Sequence, residues 1–567
     1  MNPPSEQRAT GSLEEIGGRD HAITSEYRLF GPPGTGKTTN LSRQIRRAVD
    51  RYGPEAVLVT SFSRAAAAEL AGRDLPVSGD RVGTLHSHCW HALGGPEIAE
   101  SNVETWNRDN PHLVLTPQKK QGKLDGEESG EGDSETAKDG DALLQRLSRN
   151  RGLMLPRIAW PETLLDFEKR WTTYKKDNGL LDFTDLIETA LRDCPIAPKN
   201  PSVIFADEAQ DLNRMQLALV RRWGEHASYF IVAGDDDQTI YQFTGATPEA
   251  FLDPDIPDDH KIILKQSYRV PGAVHQFAEG LIRQVSRRQA KEYLPRPEDG
   301  ALDRMSHHEH YRRADYAILD TATEHLARGQ TVMFLAACSY MVAPIVMVLR
   351  RHGIPFHNPY RTTNGFWNPL RLGKATSTPS RILALLIGHP DYGEAHRPWS
   401  HADLAAWAEP IRAKGVLRHG MKAKIKAGDV AGVVTMAHLA ALFEPDALVG
   451  MMAAWDAGHP ALLGWWLSKL TADAQKRAAF PSEIVATRGP RALLETPKVI
   501  VGTIHSVKGG EADVVYLFPD LSAAGDAQYA RPGPPRDSVI RQFYVGATRA
   551  RVKLYLCQSA DAGRISL

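Results

Sequence analysis

The residues with the most specific chemical potential are Gly31-Pro-Pro-Gly-Thr-Gly-Lys-Thr38. Their spacing, G-x-x-x-x-G-K-[ST], is that of a loop whose backbone N–H groups wrap nucleotide phosphates. Glycines at 31, 34 and 36 let the backbone come close to an anion in conformations that a Cβ forbids. Lys37 supplies a mobile point charge for the β- and γ-phosphates, and Thr38 offers a hydroxyl to Mg²⁺. The expected phosphate cradle is therefore Gly31, Pro32, Pro33, Gly34, Thr35, Gly36, Lys37, Thr38 and Thr39, at the start of a helix whose dipole favours negative charge.

A second group of residues would complete a hydrolytic site. Val203-Ile-Phe-Ala-Asp-Glu-Ala-Gln-Asp211 is an apolar run that ends in adjacent acids. Asp207 suits Mg²⁺ and Glu208 suits the orientation and deprotonation of an attacking water. Alone, such a pair is an ordinary acidic turn; downstream of a phosphate loop it reads as the metal ligand and the base. Gln238, in Gly234-Asp-Asp-Asp-Gln-Thr-Ile-Tyr-Gln-Phe243, is a neutral group placed to sense a γ-phosphate. Tyr241 and Phe243 offer ring faces to bases. Phe62 has two readings: a core aromatic at a strand end, or a stacking surface beyond the carboxyl end of a parallel strand. Arg269 falls just past a further apolar run, Ile262-Ile-Leu264.

These residues need strands that end at one edge of a sheet. Tyr27–Phe30 precedes the phosphate loop, and Leu41, Ile45 and Val49 mark one face of a helix that Gly53 can end. Ala56–Thr60, Val203–Asp207 and Tyr229–Ala233 are further buried-strand runs, so the pattern predicts an α/β protein with a parallel sheet covered on both faces. A second α/β unit starts at Thr331–Leu335, with a helix to about Arg351, and resumes at Val499–Thr503, Asp513–Phe518 and Val552–Leu556. Residues 88–185 and about 360–495 interrupt the rhythm with helical spacing. Within the first interruption, 119–141 is a polar, largely acidic run that reads as a disordered loop. The predicted boundaries are 1–87 with 186–268 for the first core, 88–185 for its insertion, 269–360 with 496–567 for the second core, and 361–495 for the second insertion.

The chain has 567 residues, with 68 basic and 68 acidic side chains. No global basic field advertises nucleic acid, so any such binding must use local patches and stacking. Four scattered cysteines, without a C-x-x-C pair, argue against zinc, iron–sulfur or disulfide frameworks. Neither a signal-peptide core nor an apolar run of membrane-spanning length is present, so a cytoplasmic, nucleoid-associated enzyme without membrane contact is expected.

Taken in order, these stretches resemble the UvrD/Rep family of superfamily 1 (subgroup A) helicases. The resemblance rests on Gly31–Thr38, Thr60-Ser-Phe-Ser-Arg-Ala-Ala-Ala-Ala-Glu69, Gly83-Thr-Leu-His-Ser87, Asp207–Asp211 and Gly234–Gln238. It continues through Gln266-Ser-Tyr-Arg269, Thr503-Ile-His-Ser-Val-Lys-Gly-Gly-Glu511 and Tyr544-Val-Gly-Ala-Thr-Arg-Ala550. It implies two RecA-like cores, each with a helical insertion, that use ATP and Mg²⁺ to move 3′ to 5′ on single-stranded DNA and open single-strand/duplex junctions. It implies Thr38 and Asp207 on the metal, Glu208 as general base, Gln238 as sensor, Arg269 and Arg549 at the γ-phosphate, and Lys508 and Glu511 near the nucleotide. Phe62, Ser63, His86, Tyr241, Phe243 and His505 match positions near DNA. Three departures stand out. Thr244 replaces an arginine, Gln242 stands where another arginine is frequent, and Phe243 replaces tryptophan. Gln7, a candidate adenine reader, is further upstream than the family's glutamine.

Overall fold

The structure is a computed structural model that describes residues 26–118, 139–306, 308–361, 365–371, 377–422 and 432–567. Gln7 and most of the acidic run at 119–141 lie outside them.

Twelve strands among the described residues form two six-stranded sheets. The first has the order β3-β2-β4-β5-β1-β6, with β1 Glu26–Phe30, β2 Val57–Ser61, β3 Val82–Thr84, β4 Val203–Asp207, β5 Tyr229–Gly234 and β6 Lys261–Ile263. The second has the order β7-β12-β11-β8-β10-β9, with β7 Ala301–Arg304, β8 Val332–Ala336, β9 Phe356–His357, β10 Val499–Thr503, β11 Ala512–Leu517 and β12 Ala550–Leu556. Both sheets are parallel throughout. This is the α/β class read from the sequence, with two RecA-like sheets.

The central strands are fully buried because helices cover both faces, and β2, β4 and β10 have no exposed position. Helix Lys37–Tyr52 buries Leu41, Ile45, Ala48 and Val49 on one stripe and stops at Gly53, whose φ of 86° suits glycine. One core layer joins Leu41 and Ile45 to Val57, Val59, Phe205 and Ile231; the opposite layer joins Phe30, Leu58, Ile204 and Val232 to Trp223 and Phe251.

Between β3 and β4 the chain is helical, with Glu104–Asp109, Asp139–Gly152, Glu162–Asn178 and Phe183–Asp193. Trp106, Phe167 and Trp171 fill its centre. Asp182 begins the last of these helices with a reciprocal capping box to Asp185. Among the described residues, six further helices lie between β9 and β10, including Thr378–Leu386 and Ala472–Arg488. By compactness the chain divides into two units. The first takes the described residues up to Met305, Ala336–Ser339 and Thr503–Leu567; the second takes Ser306–Leu335 and Tyr340–Gly502. No helix among the described residues is long and apolar enough to cross a membrane.

Candidate functional site

The candidate residues gather at the carboxyl ends of β1, β2, β4 and β5, within the first unit. After β1 the chain turns at Gly31, whose N–H donates to Gly234 O at 3.0 Å. Gly34 and Gly36 have φ of 73° and 77°, so two positions of the loop are left-handed. Gly34 also has no room for a side chain: a Cβ there would lie 2.4 Å from Arg269 Cβ and 2.8 Å from Ser267 Oγ. The loop is braced from that side, because Tyr268 N–H donates to Gly34 O at 2.8 Å. Pro33 O accepts from Ser267 Oγ at 2.9 Å and from Tyr293 Oη at 2.8 Å. Pro32 O accepts the Thr35 hydroxyl at 2.8 Å, and Thr39 Oγ1 accepts from Arg73 at 3.0 Å.

Lys37 opens the helix and turns its ammonium onto β4. Nζ donates to Asp207 Oδ1 at 2.7 Å and to Glu208 Oε1. Burial alone would weaken its proton affinity, but the two carboxylates outweigh that and hold Lys37 protonated far above its ordinary range. Burial would raise Glu208; Lys37, Lys508 and a hydrogen bond from Gln210 overcome it and pull the carboxyl down to about 2. Asp207 is raised, chiefly by burial and by the neighbouring Glu208 charge. Glu208 has φ of 51°, a strained value for a residue with a side chain, at the point where the strand ends. Gln210 Nε2 donates to Glu208 Oε2 at 2.5 Å while its Oε1 accepts Asp235 N–H at 3.1 Å, so one amide spaces the ends of β4 and β5.

Gln238 joins three other candidates. Its Nε2 donates to Asp235 at 2.8 Å, its Oε1 accepts Arg549 Nη2 at 3.2 Å, and its backbone O accepts Lys508 Nζ at 2.9 Å. Arg549, 1% exposed, is further held by Val545 O at 2.8 Å and Gly510 O at 3.2 Å. Lys508 also pairs with Asp211, whose carboxyl burial pushes up to about 7 despite that ammonium. Arg269 Nε donates to Glu511 Oε2 at 2.6 Å, and Arg551 occupies the other Glu511 oxygen at 3.1 Å. The structure thus brings Lys37, Asp207 and Glu208 together, gathers Gln238, Arg549 and Lys508 beside them, and sets Arg269 with Glu511 against the phosphate loop.

Four of the six residues expected near DNA form one aromatic group. Ring centroids lie 5.1 Å apart for Phe62–Tyr241, 5.7 Å for Tyr241–Phe243 and 5.7 Å for Phe243–His505. Lys508 Nζ sits 5.2 Å from the Tyr241 centroid, which joins this group to the Gln238 cluster. His505 Nε2 donates to Ile240 O at 2.9 Å, and burial holds its pKa down to about 4, so its ring is neutral at pH 7. His86 stands apart, edge-on to Phe183 at 6.1 Å, with its pKa also lowered by burial to about 4. Ser63 is used locally: its Oγ accepts Ala66 N–H at 3.0 Å and caps the following helix. Thr244 Oγ1 donates to Tyr241 O at 2.7 Å and Gln242 Nε2 to Thr239 O at 2.7 Å, so both close their own turn.

Sequence reasoning missed Lys291, Arg288 and Tyr268. Lys291, 1% exposed as a side chain, donates to Asp235 at 2.8 Å and to Asp236 at 2.5 Å, and lies 2.9 Å from Asp237; Arg288 forks onto Asp237 at 2.9 and 2.6 Å. An internal ammonium thus fills the place that three converging carboxylates would otherwise offer a cation. Tyr268 keeps 74% of its surface exposed although its backbone is fastened to the phosphate loop. Its signal was the ring between Ser267 and Arg269, in a stretch read only for its arginine.

Residues 20–256 match the family model described as UvrD/REP helicase N-terminal domain, and residues 498–557 the UvrD-like helicase C-terminal domain. Among curated proteins, the chain is 27% identical over 276 residues to the ATP-dependent DNA helicase Rep of Buchnera aphidicola, covering 46% of this chain and 41% of that one. It is 26% identical over 295 residues to the ATP-dependent DNA helicase PcrA of Bacillus subtilis, covering 48% and 39%. A probable DNA helicase II homolog of Mycoplasma pneumoniae is 23% identical over 308 residues, covering 48% and 42%. The matched region spans about two-fifths of the length of these relatives.

Proposed function

Because the chain belongs to the UvrD/REP helicase family, we propose that it is an ATP-driven translocase that moves 3′ to 5′ on single-stranded DNA and separates duplex at a junction. The observation that carries this reading is the continuity of the site. Lys37, Asp207 and Glu208 meet at the phosphate loop, and Gln238, Arg549 and Lys508 link them to an aromatic group suited to bases.

In this reading Lys37 exchanges partners. The phosphates of ATP take the ammonium away from Asp207 and Glu208, and both carboxylates become available. The Thr38 hydroxyl and the Asp207 carboxylate are hard oxygen donors that fit Mg²⁺, which would neutralise phosphate charge. Glu208, kept ionised, orients and deprotonates the attacking water. Arg269 and Arg549 leave Glu511 and Gln238 for the γ-phosphate, where such guanidinium groups are worth ~10³-fold or more in rate. The release of Gln238 by Arg549 passes the event to Tyr241 and Phe243 through the same short segment. The exposed Tyr268 ring supplies a face for the base of the nucleotide. A stack of ~1–3 kcal/mol per base is weak enough to be broken and remade at each step and is blind to sequence.

A duplex with a 3′ single-stranded tail should be opened in ATP and Mg²⁺, and blunt or 5′-tailed duplexes should not. Opening from a 5′ tail alone would reverse the direction. The inward turn of Thr244 and Gln242 favours a second reading, a DNA-stimulated ATPase that strips proteins from single strands; displacement of a bound protein with no strand separation on any substrate would select it.

A further inference from the structure

The loop that joins helix Asp139–Gly152 to helix Glu162–Asn178 carries the most exposed large apolar side chain among the described residues, Ile158 at 96%, together with Met154 at 52% and Leu155 at 40%. Six consecutive residues, Met154–Ala159, lie open on the surface. The loop is nevertheless tightly built. Met154 N–H donates to Arg151 O at 2.8 Å and Leu155 N–H to Asn150 O at 3.0 Å; Ala159 N–H donates to Pro156 O and Trp160 N–H to Arg157 O, both at 2.9 Å. Behind it, the buried Trp160 gives its Nε1–H to Leu155 O at 3.2 Å. Met154 has φ of 56°, a left-handed value that disfavours a residue with a Cβ. Backbone strain and exposed apolar surface both work against the folded chain, and they coincide in loops that act on a ligand.

The base of the loop is fixed from two sides. Arg151 donates to Asp182 at 3.2 Å, to Asp185 at 2.6 Å and to Glu188 at 3.1 Å. Arg149 Nε donates to Gln242 O at 3.4 Å, and a Cβ on Gly245 would lie 3.4 Å from both Arg149 O and Leu153 Cγ. The loop therefore stands directly on the 242–245 turn, whose Phe243 and preceding Tyr241 belong to the aromatic group. No acidic residue lies between Asp141 and Glu162, whereas Arg146, Arg149, Arg151 and Arg157 do. We propose that Met154, Leu155 and Ile158 form a separation wedge, which the first insertion holds against the outermost base pair of a duplex where a single strand leaves for the aromatic group. The proposal rests on the reading that the chain separates duplex at a junction. Apolar side chains of these types unstack base steps by insertion, and a loop already rigid does so without an ordering cost. The exposed Arg146 and Arg149 suit the flanking phosphates. A protein partner would be drawn to the same tip, but one loop falls far short of the about 20–30 residues that each side of a stable interface contributes.

Leu155→Ser with Ile158→Ser alters two exposed side chains outside the ATP site and the aromatic group. A 3′-tailed duplex with 2-aminopurine in its outermost pair reads the wedge directly. Without ATP, the wild-type chain should brighten this base as it unstacks, and the double serine variant should leave it quenched. With ATP and Mg²⁺ the variant should unwind about ten-fold more slowly, equivalent to ~1.4 kcal/mol of lost unstacking, while hydrolysis stimulated by oligothymidylate stays within about two-fold. Ile158→Phe should retain both signals, because a wedge requires bulk rather than one shape. The proposal is overturned if the serine variant brightens the base and unwinds like the wild type, which would leave the tip as a protein contact. It is also overturned if oligothymidylate-stimulated hydrolysis falls as far as unwinding does, which would place the loop in translocation, or if the wild-type chain binds the junction without brightening it. A wild-type chain that brightens the pair through Leu155 and Ile158 but never opens the duplex with ATP would refute the helicase reading and still support the wedge.

Discussion

Alanine at Gly34 and at Gly36 separates two costs that glycine avoids in the phosphate loop. Both positions are left-handed, with φ of 73° and 77°. A residue with a Cβ pays roughly 1–2 kcal/mol for that conformation. At Gly36 the new methyl would meet nothing closer than Thr39 Cβ at 4.0 Å, so the backbone term stands alone. At Gly34 it would sit 2.4 Å from Arg269 Cβ and 3.1 Å from Arg269 N, and the 267–269 segment must move away from the loop. Overpacking of this kind adds ~1–3 kcal/mol, so Gly34→Ala should cost about 2–5 kcal/mol against about 1–2 for Gly36→Ala. Scanning calorimetry of the nucleotide-free protein reads the difference, at roughly 2–4 °C per kcal/mol for a domain of 150–250 residues and less for a larger one. Arg269→Gly removes the atom in closest conflict, so Gly34→Ala with Arg269→Gly should recover part of the loss, a favourable coupling of about 1–2 kcal/mol. Equal melting shifts for the two alanines, with no recovery in the double variant, would refute the wedge between phosphate loop and Arg269 segment.

Three further outcomes follow from individual residues. Lys37→Ala and Glu208→Gln should each abolish ATP turnover, with Glu208→Gln still binding ATP in equilibrium dialysis; undiminished hydrolysis in either removes that residue from the chemistry. Tyr268→Ala should raise the KM for ATP about ten-fold, the worth of one lost stack of roughly 1.4 kcal/mol, and leave kcat within about two-fold; an unchanged KM assigns the base elsewhere. Glu100 lies buried beside Asp182, and burial raises its carboxyl to about 8. Between the unfolded value near 4.5 and this folded value the native chain holds the extra proton, so stability must fall as pH rises across that window. Glu100→Gln should remove this slope and lessen the loss between pH 5 and pH 8 by on the order of 2 kcal/mol, read by urea melts at both pH values; parallel slopes would show that Glu100 is not the group responsible.

The phosphate loop, the acids after β4 and the alternation of strands with helices could be read from the sequence because each is local. A glycine spacing, an apolar run with two acids at its end and a 3.6-residue stripe are all written in neighbouring residues. The two parallel sheets follow from the same runs, since only strands covered on both faces are apolar at every position. What spacing could not supply is the pairing of distant charges. Arg549 and Gln238 meet across 311 positions, and Arg269 and Glu511 across 242. The family resemblance supplied these residues as candidates, but it did not say that each has a protein partner to give up.

Lys291 and Arg288 show the same limit more sharply. Asp235, Asp236 and Asp237 follow a strand that is buried at every position after Tyr229, and all three remain 1% exposed or less. Three adjacent carboxylates in the interior require cations nearby, because uncompensated burial would protonate or expel them. The stretch holding Arg288 and Lys291 has no periodicity that marks it, yet it meets that requirement and fixes the backbone from which Gln238 projects. The position of Gln238, the sensor in the proposed mechanism, therefore depends on the ion-pair cluster of Arg288 and Lys291 with these three carboxylates. The proposed coupling of hydrolysis to movement needs Gln238 held firmly at its base and free at its tip. The cluster supplies the first condition, and the 3.2 Å bond from Arg549 is the weak link that permits the second.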